Sequence, residues 1–281
     1  MIWKGRRQSE NVEDRRGSAG KRVAAGGIGT IVLALAIYFL GGDPTPILNT
    51  MQNSQVSAGD SAYQGTAEEN ELAQFVSVVL ADTEDVWSDL FARKGARYRM
   101  PKLVIFSGST DSACGRGSRS TGPFYCPGDD SVYIDLSFYN ELREQFGVSG
   151  DFAMAYVIAH EVGHHVQKQT GILAKVDSLR SRMSEKEYNR YLVRLELQAD
   201  YYAGVWAHYA EKMNVLEQGD LEEAMNAASA VGDDRIQKNA RGYAVPDSFT
   251  HGTSEQRARW FRKGFESGTI EDGDTFSAET L

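Results

Sequence analysis

Two histidines four residues apart, with a glutamate directly after the first, make up the segment "HEVGH", His160 to His164. Residues i and i+4 share one face of a helix, so two imidazoles at this spacing can meet a single ion. Glu161 is turned about 100° from His160, which sets it beside that ion rather than on it. Zinc lowers the pKa of a water toward ~7, and a carboxylate in that place can take the proton. His160 and His164 are therefore expected as metal ligands and Glu161 as the general base. His165 points elsewhere and is expected to pack or to support a ligand.

A catalytic zinc takes a third protein ligand and keeps one position open. The metzincin pattern needs glycine at 167 and histidine at 170; this chain has Gln167 and Thr170, which excludes that class. The segment "ELQADYYAG" offers Glu196 and Asp200, again i,i+4, set among Leu195, Leu197, Ala199, Tyr201 and Ala203 with no Lys or Arg at 199–204. Buried carboxylates need a counter-charge. Zinc supplies one for Glu196, and a ligand imidazole supplies one for Asp200, which in return fixes that imidazole's tautomer and orientation. Peptide hydrolysis further needs a donor for the developing oxyanion. His251, Tyr243, Tyr125 and His208 could each provide it. His251, in the glycine-flanked turn "FTHGTSE", joins Glu161 as a catalytic candidate, although such a turn can equally be a helix start. His208 lies on the Glu196 helix and is expected to pack.

These side chains need helices to hold them. Glu69 to about Lys94 repeats apolar residues at three- and four-residue steps and reads as a helix. Leu103–Phe106 and Ser131–Leu136 read as strands; the second, just before the zinc helix, could form the cleft edge that pairs with an extended substrate. Asp151 to Thr170 is the zinc helix, capped by Ser149 or Asp151 and stopped at Gly171. Further helices are expected from Ser184 to about Lys212, from Asp220 to Val231, and from Gly252 to Phe265 behind a Thr253 cap. The fold class is then α+β, mostly helical, with a small sheet.

The motifs "SACG", "GPFYCPGDDSVYIDLSFY", "AYVIAHEVGHHVQ", "ELQADYYAGVWAH" and "SFTHGTSEQRARWF" together resemble the putative neutral zinc metallopeptidase family of bacterial single-anchor proteins, over about residues 70–265. H-E-x-x-H followed on a later helix by E-x-x-x-D looks like the gluzincin arrangement. The resemblance implies a zincin-like domain, bound Zn²⁺, a glutamate as third ligand and action on protein or peptide substrates.

Charge and composition place this domain. The chain carries a formal charge of −9 and a pI near 5.2, which gives no electrostatic support for nucleic-acid binding. Residues 1–22 run the other way, with seven Lys or Arg against three acids. Val23–Gly42 is twenty residues without a charge, enough for a helix to cross the ~30 Å hydrocarbon core. The run is longer than a signal peptide's apolar region. The expected organisation is a cytoplasmic basic tail (1–22), a transmembrane helix (23–42), a flexible linker (43–68), an extracytoplasmic zinc metallopeptidase domain (69–265) and a frayed polar tail (266–281). Cys114 and Cys126 bracket a glycine- and serine-rich loop, and a disulfide is expected there in an oxidising compartment. Free thiols would signal the opposite topology, with the domain in the cytoplasm. The rival function is a non-proteolytic zinc-binding membrane scaffold, which a closed four-ligand site would favour.

Overall fold

The computed structural model describes residues 1–17 and 65–281. The apolar run 23–42 and most of the 43–68 linker lie outside the described residues. Among the described residues, no helix is long and apolar enough to cross a membrane. The elements are β1 (Val12–Asp14), α1 (Ala67–Arg93), β2 (Lys102–Phe106), β3 (Ser109–Ser112), β4 (Gly115–Ser118), β5 (Phe124–Cys126), β6 (Ser131–Asp135), α2 (Phe138–Glu144), α3 (Asp151–Gln169), α4 (Ile172–Asp177), α5 (Glu185–Lys212), α6 (Asp220–Ala230), α7 (Asp233–Arg241) and α8 (Ser254–Ser267). The mostly helical α+β class stands.

The sheet runs β1-β2-β6-β5, with β1–β2 and β2–β6 parallel and β5–β6 antiparallel. All five residues of β6 are buried, as expected for a strand with both faces covered. One face, with Leu103, Ile105, Val132 and Ile134, joins the main core. The other, with Val104, Phe106, Cys126 and Tyr133, makes a small separate core. Ser131–Leu136 is thus an interior strand and not the cleft edge. That place belongs to β5, which lies inside the loop bracketed by the cysteines and pairs with β6 at the end of the sheet order. The β3–β4 hairpin fills the rest of that loop, and Cys114 and Cys126 form a disulfide.

Helices α3 and α5 pack closely because Gly163 faces Ala199: a Cβ at 163 would lie 3.0 Å from the Ala199 carbonyl oxygen. Helices α5 and α8 meet through glycines on both sides. A Cβ at Gly204 would lie 2.0 Å from the Phe261 oxygen, and one at Gly264 would lie 1.9 Å from the Tyr201 oxygen. This near-backbone contact sets the register of α8 along α5. Helix α3 starts differently from expectation. Its N-cap is Gly150 at φ 104° rather than Ser149 or Asp151, and Glu223 of α6 accepts from the Phe152 N–H at 3.2 Å.

Both termini depart from their expected forms. Residues 1–17 are docked on the domain rather than set apart as a tail. β1 extends the sheet, Met1 is buried, and Ile2 N–H donates to the Val215 carbonyl at 2.7 Å. The cause lies on α1, where Asp82 and Glu84 are buried and need partners. Arg6 binds Asp82 at 2.7 Å; Ser9 and Asn11 bind Glu84 at 2.6 and 2.7 Å. The basic residues assigned to a membrane flank thus neutralise acids of the fold. At the other end, the expected frayed tail is tied to α5. Gln198 donates to the Gly273 carbonyl at 2.8 Å, and buried Thr275 donates to the Arg194 carbonyl at 2.6 Å.

Candidate metal centre

α3 and α5 bring His160, His164 and Glu196 together. His160 Nε2 lies 3.2 Å from Glu196 Oε2, and His164 Nε2 lies 3.5 Å from Oε1. One donor atom from each residue falls within 4.8 Å of the others. The fit to zinc can be judged from what the remaining ring nitrogens do. His160 Nδ1 donates to Asp200 at 2.8 Å, and His164 Nδ1 donates to Gln167 Oε1 at 2.9 Å. Both imidazoles are thereby fixed in the tautomer that leaves Nε2 as a lone-pair donor, facing one carboxylate. Two nitrogens and one oxygen are a donor set that zinc accepts. Among the described residues, no fourth His, Cys, Asp or Glu joins the cluster, and the three donors border the cleft.

Charge complementarity in the cluster is strong. Burial disfavours the charged imidazole of His160, but the Asp200 charge and then the Glu196 hydrogen bond outweigh it and push its pKa up. Burial likewise works against an ionised Glu196, yet His164 and His160 hold its carboxyl well below the usual range. Protons and a divalent cation compete for such a set, so metal binding there releases protons.

Asp200 is fully buried and accepts four hydrogen bonds. These come from the Tyr156 hydroxyl at 2.5 Å, His160 Nδ1 at 2.8 Å, and Arg257 Nε and Nη2 at 2.8 and 2.9 Å. Burial pushes its pKa up, but the Arg257 guanidinium and then His160 pull it below the ordinary carboxylate value. The sequence reading gave Asp200 an imidazole as its counter-charge. The structure adds Arg257, which arrives from α8 and was not visible in α5's own neighbourhood. In the sequence Gln167 stands out only as a departure from the metzincin pattern; its place three residues after His164, on the same helical face, is the signal for this contact.

Glu161 is 9% exposed and lines a cleft of about 1060 Å³ with His160, His164, Glu196 and His251. Half-exposed His251 is held by Asp233, whose Oδ1 lies 3.2 Å from Nδ1 and whose Oδ2 accepts the His251 backbone N–H at 2.6 Å. The other oxyanion candidates fall away. The Tyr125 hydroxyl is engaged by His165 at 2.9 Å and Asp130 at 3.0 Å. Tyr243 is 61% exposed and outside the cleft lining, and His208 packs on α8, donating to the Phe265 carbonyl at 2.8 Å. His165 is fully buried and donates from Nε2 to the Arg99 carbonyl at 2.5 Å, which ties α3 to the loop before β2.

One wall of the cleft is residues 118–125, all enclosed by the Cys114–Cys126 disulfide. Replacing both cysteines with alanine should lower unfolding stability by about 3 kcal/mol, as for closure of a loop of this size. If substrate enters this cleft, KM should rise several-fold with little change in kcat, because the wall carries no member of the donor cluster. Denaturant unfolding and steady-state kinetics on the double variant check both.

The family model described as "Putative neutral zinc metallopeptidase" matches residues 1–276. "Uncharacterized protein YpfJ" of Escherichia coli (strain K12) is 49% identical, over 98% of this chain and 99% of that relative. "Uncharacterized protein Rv2575" of Mycobacterium tuberculosis (strain H37Rv) is 40% identical, over 76% of this chain and 74% of that protein. No solved structure matches the chain.

Proposed function

The chain belongs to the putative neutral zinc metallopeptidase family, and we propose that it hydrolyses peptide bonds at a zinc ion held by His160, His164 and Glu196. The observation that carries this reading is the three-donor cluster, which shares a cleft of about 1060 Å³ with Glu161. Zinc at this site would supply a Lewis acid that polarises the scissile carbonyl and makes a water acidic near neutral pH. Glu161 takes that water's proton as the oxygen attacks the carbonyl carbon, then delivers it to the leaving nitrogen. Asp200 and Gln167 hold the two imidazoles in place. β5, the sheet edge on the cleft, offers backbone groups to an extended substrate chain. The test is incubation of metal-free and zinc-restored protein with a mixed peptide library. Cleavage that returns only with zinc supports the reading; a zinc-loaded protein that cleaves nothing favours the scaffold role.

His251 is assigned to the oxyanion. With Nδ1–H given to Asp233, Nε2 donates only when the ring is protonated. Burial works against that state, but the Asp233 hydrogen bond and then the Glu196 charge raise the pKa. A raised pKa carries the protonated form to higher pH than a free imidazole would, and the form is lost on the alkaline side. Asp233→Asn should therefore move the alkaline limb of the kcat–pH profile to lower pH. An unmoved limb would remove His251 from this role.

The disulfide favours an oxidising compartment, so the domain and its docked residues 1–17 are assigned to the extracytoplasmic side. Membrane association is proposed through residues 23–42 on their composition alone. A single crossing there would separate residues 1–17 from the domain they pack on, so the tail is placed on the domain's side of the membrane and not in the cytoplasm.

A further inference from the structure

The metal donors are assigned above, but Arg257 and Tyr156 are not among them. Both are buried, both line the same cleft, and both point at Asp200. Arg257 uses Nε on Oδ2 and Nη2 on Oδ1, a two-pronged contact that fixes the carboxylate's plane. Its Nη1 donates to the Val231 carbonyl at 3.2 Å, which anchors the guanidinium at the end of α6. Tyr156 adds a third bond to the clamp, on the oxygen that receives His160. Arg257 Nη2 also lies 3.2 Å from the Tyr156 oxygen, so the two clamp residues brace each other.

We propose that Arg257 and Tyr156 are positioning residues that lock Asp200 in the one rotation in which Oδ1 meets His160 Nδ1, so that α8 governs zinc affinity without contributing a metal donor. This rests on the assignment of His160, His164 and Glu196 as the zinc ligands. The physical point is geometric. A carboxylate held at one oxygen by two donors can rotate about its last bond and carry Oδ1 away from the imidazole. The guanidinium fork prevents that rotation. A lysine at 257 keeps a positive charge near the site but offers a point donor with no fork. It therefore separates positioning from simple charge balance.

The experiment is zinc affinity by chelator competition, starting from metal-free full-length protein, for the parent, Arg257→Lys and Tyr156→Phe. Arg257→Lys is expected to bind zinc about 10- to 100-fold more weakly, the range for loss of a ligand's supporting contact. Tyr156→Phe deletes one hydroxyl and is expected to weaken binding by a few-fold. A merely structural Arg257 would lower the melting temperatures of the metal-free and zinc-loaded forms alike and leave zinc affinity unmoved. Parent-like affinity in a folded Arg257→Lys overturns the proposal. If Arg257→Lys does not fold, Tyr156→Phe decides, and parent-like affinity in it overturns the proposal equally. Failure of the underlying assignment reads differently, since the parent itself would then bind no zinc.

Discussion

Glu161→Gln is expected to bind zinc as the parent does and to lose about 10²- to 10⁴-fold in kcat, the usual contribution of a positioned general base. The separation follows from geometry. Glu161 does not belong to the donor cluster, while it lines the same cleft beside it. Glutamine keeps the shape and the hydrogen-bonding reach but cannot take a proton at any working pH. Zinc content by metal analysis, together with single-turnover cleavage, reads both halves. A variant that cleaves as fast as the parent would show that the proton goes elsewhere.

Glu196→Ala should do the converse and lose the metal first. Its carboxylate is the only anionic donor of the three, and it sits between both imidazoles at 3.2 and 3.5 Å. Without it, two imidazoles are left to hold a divalent cation. Loss of a mere supporting contact to a ligand costs 10- to 100-fold in affinity, and loss of a ligand should exceed ~100-fold. After dialysis against a chelator, the parent is expected to keep close to one zinc per chain and the variant almost none. Retention of zinc by Glu196→Ala would place the third ligand elsewhere.

What the sequence made legible was local in the chain. His160, Glu161 and His164 sit within one helical turn or so, and Glu196 and Asp200 within another; spacing alone puts each group on one face. The long helices were legible for the same reason, with capping boxes at Ser184 and Thr253 marking their starts. What stayed hidden depends on docking between segments far apart. Arg257 reaches Asp200 because Gly204 and Gly264 let α8 lie against α5, and no periodicity in either helix predicts that pairing. Asp233 meets His251 across a loop. The charge of residues 1–17 suggests a membrane flank, whereas Asp82 and Glu84, which hold them, lie 76 and 75 residues from Arg6 and Ser9. The short strands β3, β4 and β5 carry too few residues for alternation to show, and β3 and β4 are rich in serine and glycine besides.

The central claim is that one zinc ion is gripped by His160, His164 and Glu196 with a coordination position left free. Crystals of zinc-loaded protein, measured at the zinc absorption edge, test it directly. One anomalous peak is expected about 2.0–2.2 Å from His160 Nε2, His164 Nε2 and a Glu196 oxygen, with no fourth side chain on it. A peak away from these atoms, or a fourth protein ligand closing the site, would contradict it.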